Sequence, residues 1–462
     1  MKKFVFASMT LMCGAAAHLG AAEVTYDVVK AMEETGNAKI IITFKDKTNR
    51  SKLKLKGSLK EVNRQLKANF KAASREVLGV LNTKGKMGAG EVTGQYWAAN
   101  AVSAQVDKKM LARLSGRDDI AQITLDRVIM FEEPPRVEEE ILDGDEWTYG
   151  LEKLGVPEVR QAYNLTGEGI TVAVLDTGID ASHPDLAGKV VAWKDWAGDS
   201  EEPKDAHGHG THCAGTIAGG ADSGRAIGVA PDAKLVIGRI FGDNGGATLS
   251  GILGAMNWVT DPDGDSETND APQLVSNSWG GRQGNMEQEQ AMWNLVKTWR
   301  SLNIVPVFAA GNSGPWPKTI GTPGGYPHSF AVGATNGSDK AAYFSSRGPI
   351  KWEDVEYTKP DISAPGVGVL SAKPGGGYQK MSGTSMACPH VAGLIALMLQ
   401  ANPGLSVKEV EDILKQTSVD LGKNGVDNTY GHGRADIKSA IDTIKGARNG
   451  QESKFNALHT ND

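Results

Sequence analysis

The chain has 462 residues, 40% hydrophobic and 23% charged, with 57 glycines and a net charge of −6. Such a length holds two or three domains of about 100–200 residues each, and the composition excludes a disordered or fibrous polymer. The acidic balance lacks the basic footprint of a nucleic-acid binder, while the glycine excess fits either a loop-rich fold or an enzyme with tight turns around a site.

In chain order, Lys2-Lys3 precedes an apolar run from Phe4 to the alanines at 15–17, then Gly20-Ala21-Ala22 before Glu23. This is the layout of a secretory signal peptide over residues 1–22, so the protein is expected to be secreted, extracellular or periplasmic. A membrane anchor is the competing reading, but the run falls short of the ~20 apolar residues of a spanning helix. Met12 is too bulky for lipidation at Cys13. Removing the segment leaves Cys213 and Cys388, which is no disulfide framework.

Residues 39–44 are β-rich, and Leu59, Val62, Leu66, Phe70, Ala73 and Val77 then recur at helical spacing. With a helical stretch at 108–114 and a β-rich run at 123–131, they predict a compact, basic α/β domain over residues 37–131. Pro134-Pro135 and Glu138-Glu139-Glu140 mark residues 132–148 as an exposed linker that a protease can cut. From Tyr149 onward, apolar β runs at 170–175, 235–240, 274–278, 304–309 and 329–332 alternate with helical stretches such as 249–259 and 286–302. Runs that are apolar throughout and separated by helices indicate a mostly parallel sheet buried on both faces, an α/β domain over residues 149–446. Residues 447–462 read as a polar tail.

In an open parallel sheet the site lies at the carboxyl ends of the strands, so the residues after each apolar run carry the most information. One run ends in Asp176-Thr177-Gly178, where a lone carboxylate is as a rule a cap or turn residue. His207, His209 and His212 place three of the chain's nine histidines within six residues. That suits either metal ligation or a single base serving a nucleophile. Ser385 stands among small residues just before an apolar stretch at 391–399, and so at a helix N-terminus, where N–H groups favour developing negative charge. This favours the nucleophile reading over a metallo-hydrolase of the His-x-His-x-Asp-His kind, which needs Asp where Thr211 stands.

Asp-Thr-Gly at 176–178, His-Gly-Thr-His at 209–212 and Gly-Thr-Ser-Met-Ala-x-Pro-His at 383–390, in that order, resemble the three signatures of the subtilisin family. Ala309-Ala310-Gly311-Asn312 resembles the segment with the family's oxyanion-hole asparagine, and the similarity covers roughly residues 149–445. The residues before it resemble the family's propeptide in layout. The resemblance implies a mostly parallel sheet flanked by helices, preceded by a small ferredoxin-like α/β propeptide domain. It also implies Ser385 as nucleophile, His209 as base and then acid, Asp176 holding the imidazole tautomer, and Asn312 with the Ser385 N–H as oxyanion donors.

Ser278-Trp279-Gly280 resembles the strand that pairs with substrate backbone, although the family usually carries an aliphatic residue where Trp279 stands. Gly321 resembles the small residue at the base of the specificity pocket, implying a bulky apolar side chain before the scissile bond. Asp185 matches a family calcium ligand and Asp222 lies in a loop that would supply others, so a structural calcium is expected and no cofactor for catalysis. Asp261-Pro262-Asp263-Gly264-Asp265 is a second place for the ion, or an exposed acidic turn. His207 is expected to be exposed, His212 to be a structural hydrogen-bonding partner, and Cys213 and Cys388 to be inert buried thiols.

These expectations describe a secreted, monomeric serine endopeptidase acting on proteins or peptides, with no membrane or nucleic-acid partner. It is made as a zymogen whose first domain assists folding and blocks the cleft until the linker is cut. Parallel, non-local sheets fold slowly, which gives such a helper a purpose. The alternatives are a catalytically dead peptide-binding homologue, which the full set of expected side chains disfavours, and a peptide ligase, which nothing favours.

Overall fold

In the computed structural model, residues 22–45, 59–82, 88–131, 144–281, 290–352 and 354–448 are described. The expected signal peptide, most of the linker, the first residues of the helical stretch at 286–302 and the end of the polar tail lie outside them.

The first unit runs β1 (Glu23–Val24), α1 (Tyr26–Thr35), β2 (Asn37–Phe44), α2 (Leu59–Leu81), β3 (Gly90–Tyr96), β4 (Ala101–Asp107), α3 (Lys108–Ser115), β5 (Ile120–Leu125) and β6 (Val128–Met130). Its sheet has the order β1-β5-β2-β4-β3. Setting β1 aside, β5-β2-β4-β3 on a β-α-β-β-α-β chain is the ferredoxin-like arrangement. The period-2 alternation of β2 sends Ile40 and Ile42 into this unit's own core with Phe70, Val77 and Leu81 of α2. Ile41 points the other way and, with Tyr96, Ala98 and Leu66, packs on the large unit. The run at 39–44 is apolar without alternation because both faces are covered.

The large unit runs α4 (Tyr149–Lys153), α5 (Val156–Tyr163), β7 (Thr171–Asp176), β8 (Val190–Asp195), α6 (His209–Ala218), β9 (Lys234–Arg239), β10 (Gly246–Thr248) and α7 (Leu249–Trp258). It continues with β11 (Leu274–Asn277), α8 (Gln290–Ser301), β12 (Val305–Ala309), β13 (Phe330–Thr335), β14 (Ile350–Trp352), β15 (Val355–Tyr357) and β16 (Ile362–Pro365). The last elements are β17 (Val369–Lys373), β18 (Gly377–Met381), α9 (Thr384–Ala401), α10 (Val407–Thr417) and α11 (Ile437–Arg448). A seven-stranded sheet of order β16-β13-β12-β11-β7-β9-β8 is parallel throughout. Val172 and Val174 of β7 face the core shared with α6 and α9, while Ala173 and Leu175 face the one shared with α7 and α8. Helix α9 is long and apolar enough to cross a membrane, yet it lies inside the fold between sheet and helices. A fully buried Leu or Val contributes roughly 1.5–3 kcal/mol, so this helix is a main anchor of the unit.

Two boundaries differ from expectation. The first unit begins at residue 22, not 37, because β1 pairs parallel with β5 (Val24↔Ile123) and α1 buries Val28 and Met32. A two-residue strand and a helix with two buried positions leave little periodicity to read. The β-rich run at 123–131 is also split. Ile123 stays in the first sheet, while β6 leaves it and pairs antiparallel with β10 of the large unit (Met130↔Gly246, Val128↔Thr248).

Candidate active site

The carboxyl end of β7 and the N-termini of α6 and α9 meet at one place. Asp176 closes β7, His209 opens α6 and Ser385 is the second residue of α9. Asp176 and His209 are fully buried, with Oδ1 and Nδ1 2.7 Å apart. The Thr177 N–H donates to the same oxygen at 2.7 Å, which fixes the carboxylate plane. Nδ1–H therefore donates to Asp176, and Nε2 has no hydrogen-bond partner among the described residues.

Ser385 Oγ donates to Ser278 O at 3.0 Å. The carbonyl of Ser385 has lost its helical donor, because the residue four positions on is Pro389, which carries no N–H. Ser278 Oγ donates to it at 2.8 Å and the Cys213 thiol approaches at 3.5 Å, so the nucleophile's own peptide is held from outside its helix. Cys213 Sγ also lies 3.8 Å from His209 Nδ1. Burial pushes the Cys213 thiol well above its ordinary pKa, with the Asp176 carboxylate adding to the effect. Burial likewise raises Cys388 to about 11. Both cysteines are free and buried, so the thiols are protonated and inert at neutral pH.

Asn312 is oriented by Thr384, whose N–H and hydroxyl both donate to Oδ1, at 2.9 and 3.0 Å. With the oxygen engaged, the Nδ2 donors face the cleft. Ser278, Trp279, Gly280, Gly321, Asn312 and Ser385 line one cleft of about 480 Å³, together with Phe131, Phe241, Ala309 and Thr319. None of the described lining residues is charged. Gly321 is fixed by close approach, since a Cβ there would lie 2.6 Å from Gly281 O. Trp279 is 5% exposed and packs edge-on against Phe241 and Phe308; its bulk fits because those rings leave it a slot.

The neighbouring histidines sort as chemistry requires. His212 is buried, its Nε2 2.9 Å from Val369 O and 3.2 Å from Gln379 O, and burial lowers it to about 3, so it is neutral and structural. His207 is half-buried rather than exposed, because Phe131 stacks edge-on against it at 4.9 Å. The same Phe131 ring lies 4.6 Å from that of His209 and 5.2 Å from that of Phe241. Phe131 had no signal in the sequence, since nothing in the residues near it announces contact with a histidine some eighty positions on.

Asp185 and Asp222 meet through a hydrogen bond. Asp185 is buried, but Oδ1 accepts from the Asp222 N–H and Oδ2 from the Tyr378 hydroxyl, both at 2.8 Å. Asp222 thus offers Asp185 its backbone, and the two carboxylates build no shell of six to eight oxygens. The carboxylates of Asp261, Asp263 and Asp270, by contrast, have oxygens within 4.8 Å of one another.

Comparison with known proteins agrees with this geometry. The family model described as the subtilase family matches residues 167–433. Bacillopeptidase F of Bacillus subtilis is 33% identical over 414 residues, 82% of this chain but 28% of that protein. Subtilisin E of the same organism is 34% identical over 364 residues, 78% of this chain and 84% of that protein. Serine protease AprX, also from Bacillus subtilis, is 38% identical over 309 residues, covering 61% of this chain and 68% of that one.

Proposed function

Because the chain belongs to the subtilase family of serine peptidases, we propose that it is a secreted, monomeric endopeptidase made as an inactive precursor, with Ser385 as nucleophile. The observation that carries the reading is the buried Asp176–His209 pair at 2.7 Å, with the Cys213 thiol touching both His209 Nδ1 and the carbonyl of Ser385, at 3.8 and 3.5 Å. When substrate enters, the Ser385 hydroxyl turns from Ser278 O to His209 Nε2 and gives up its proton as Oγ attacks the scissile carbonyl. Asp176 keeps the imidazole in the Nδ1–H tautomer and stabilises the imidazolium. Asn312 Nδ2 and the Ser385 N–H receive the oxyanion. The imidazolium then gives its proton to the leaving amine, and water repeats the cycle on the acyl-enzyme.

The uncharged cleft, floored by Gly280 and Gly321, supports a bulky apolar residue before the scissile bond. A peptide library cleaved mainly after Lys or Arg would exclude that preference. The placing of β6 along β10 and of Phe131 against His209 supports an autoinhibited precursor. A structural calcium remains part of the proposal, at Asp185 and Asp222 or at Asp261, Asp263 and Asp270, whose carboxylate oxygens lie within 4.8 Å of one another. An unchanged melting temperature in chelator argues against it.

The deciding experiment compares wild type with Ser385→Ala, both expressed from residue 23. The wild type is expected to lose its first 110–125 residues, about as far as the linker, and to degrade casein, while the variant stays whole and inert. Identical behaviour of the two overturns the assignment of Ser385.

A further inference from the structure

Four residues before His209, a carboxylate stands that none of the chemistry above uses. Asp205 is 8% exposed, in the segment between β8 and α6. Its Oδ1 accepts from Thr177 Oγ1 at 2.9 Å, the His207 N–H at 3.1 Å and the Gly208 N–H at 2.8 Å. Its Oδ2 accepts from the Thr211 N–H at 2.9 Å and from Thr211 Oγ1 at 2.7 Å. Five donors more than fill the roughly four lone-pair sites of one carboxylate, so its orientation is fully determined.

The donors come from two elements. Thr177 directly follows Asp176 on β7, and Thr211 lies two residues into α6 from His209. Each hydroxyl passes the connection onward. Thr177 Oγ1 accepts from the Gly210 N–H at 2.9 Å, and Thr211 Oγ1 accepts from the Asp180 N–H at 3.0 Å. Strand end and helix start are thus cross-tied in both directions through one buried anion. Backbone contact completes the joint: Ile179 N–H donates to Lys204 O at 3.2 Å, and a Cβ on Gly178 would lie 1.9 Å from that same oxygen. Capping of α6 accounts for the bonds to Gly208 and Thr211 N–H. It does not account for the two threonine hydroxyls, which tie the segment after β7 to the start of α6.

We propose that Asp205 is a positioning residue for the hydrolytic reaction, setting the distance and angle between the Asp176 carboxylate and the His209 imidazole through Thr177 and Thr211. The inference rests on the serine-peptidase reading above. None of Asp205, Thr177 and Thr211 lines the cleft, so the effect is expected on the chemical step and not on binding. A displacement of about 1 Å between catalytic groups lowers the rate by about 100-fold.

The test uses the full chain, with kcat and KM measured on a peptide amide and normalised to active sites titrated with a fluorophosphonate. Asp205→Ala is expected to lower kcat per titrated site by about 100-fold with KM within about threefold of wild type, and to shift or broaden the low-field proton signal of His209 Nδ1–H. Asp205→Asn keeps an acceptor toward Thr177 but not toward the Thr211 N–H, and is expected to fall between. Thr211→Val is expected to reproduce part of the loss and Thr211→Ser, which keeps the hydroxyl, to restore it. A folded Asp205→Ala enzyme with wild-type kcat per site and an unchanged proton signal overturns the proposal, as does a loss confined to KM. If Asp205→Ala does not fold, the pair Thr177→Val and Thr177→Ser decides, because it breaks one tie and leaves the carboxylate. Absence of any Ser385-dependent hydrolysis in the wild type overturns the peptidase reading itself, and this inference with it.

Discussion

Gly210→Ala separates two effects of opposite sign at the joint between β7 and α6. Gly210 is the second residue of α6, and alanine there favours the helix by about 1 kcal/mol. A Cβ on Gly210, however, would sit 2.2 Å from Gly178 O, a backbone atom that cannot rotate away. A carbon–oxygen contact needs about 3.3 Å, so α6 must retreat from the strand end by about 1 Å. Overpacking of this kind costs about 1–3 kcal/mol. The net loss is then roughly 0–2 kcal/mol, and Tm falls by a few degrees at most for a unit of this size. The retreat acts directly on the 2.7 Å contact between Asp176 and His209, and about 1 Å there lowers kcat by about 100-fold. Stability is read from the melting of Gly210→Ala in the Ser385→Ala background, where autolysis is absent, and activity from kcat in the wild-type background. A variant that melts higher and turns over at the wild-type rate would refute the close approach as the reason for glycine.

Asn312→Leu removes the Nδ2 donors and is expected to lower kcat by about 10²–10³ with little change in KM on a peptide amide; unchanged kcat removes Asn312 from the oxyanion site. Lys67→Ala leaves the buried Asp261 beside Asp263 and Asp270 without the ammonium that bonds it and Ser266. The cost is about 2 kcal/mol, between the values for exposed and fully buried pairs, read as a lower urea midpoint of the Ser385→Ala chain; an equal midpoint shows that the Lys67–Asp261 pair does not stabilise the fold. His390 and His212 are held by burial at about 4 and about 3, below their unfolded value of 6.5. Their contribution to stability is therefore complete above that value and lost as pH falls toward the folded values, by about 1.4 kcal/mol each at about pH 5.5. A urea midpoint for the Ser385→Ala chain that stays flat between about pH 7 and 5.5 contradicts their burial as neutral imidazoles.

The central strands were legible because burial on both faces writes an apolar run that needs no partner to recognise. Residues 170–175 and 304–309 predict what became β7 and β12 to within a residue. Edge and pairing elements were not. Strand β8 lies at the edge of the large sheet with an uneven burial pattern, and β3 exposes every other residue, so neither raises a continuous signal. The four side chains Asp176, His209, Ser385 and Asn312 were legible through their immediate neighbours. What holds them was not, because Asp205 acts through hydroxyls on two distant segments, and Thr384 through an amide seventy-two positions away. The partners of Asp185 were not legible for the same reason, since only the fold places the Tyr378 hydroxyl and the Asp222 N–H on its oxygens.

The way the first unit is attached bears on what a cut in the linker would accomplish. Phe131 reaches the imidazole at the end of β6, whose three register pairs with β10 are a short ladder. Behind it, Ile41, Leu66 and Tyr96 share a continuous apolar core with α7 and α8 of the large unit. The backbone of Ala98 and Ala99 bonds to Asn257, Thr298 and Asn294, and Lys67 reaches the acidic loop beyond α7. None of these contacts passes through residues 132–148. A cut in the linker would therefore remove the tether and leave the interface, and Phe131 is expected to stay in the cleft until the first unit itself is unfolded or degraded. On the proposed precursor reading, activation is expected to take two steps of different order. An intramolecular cut is expected to be independent of concentration and release to depend on protease already freed, so the prediction is a lag in activity that shortens as mature enzyme is added; a lag unchanged by added mature enzyme contradicts it.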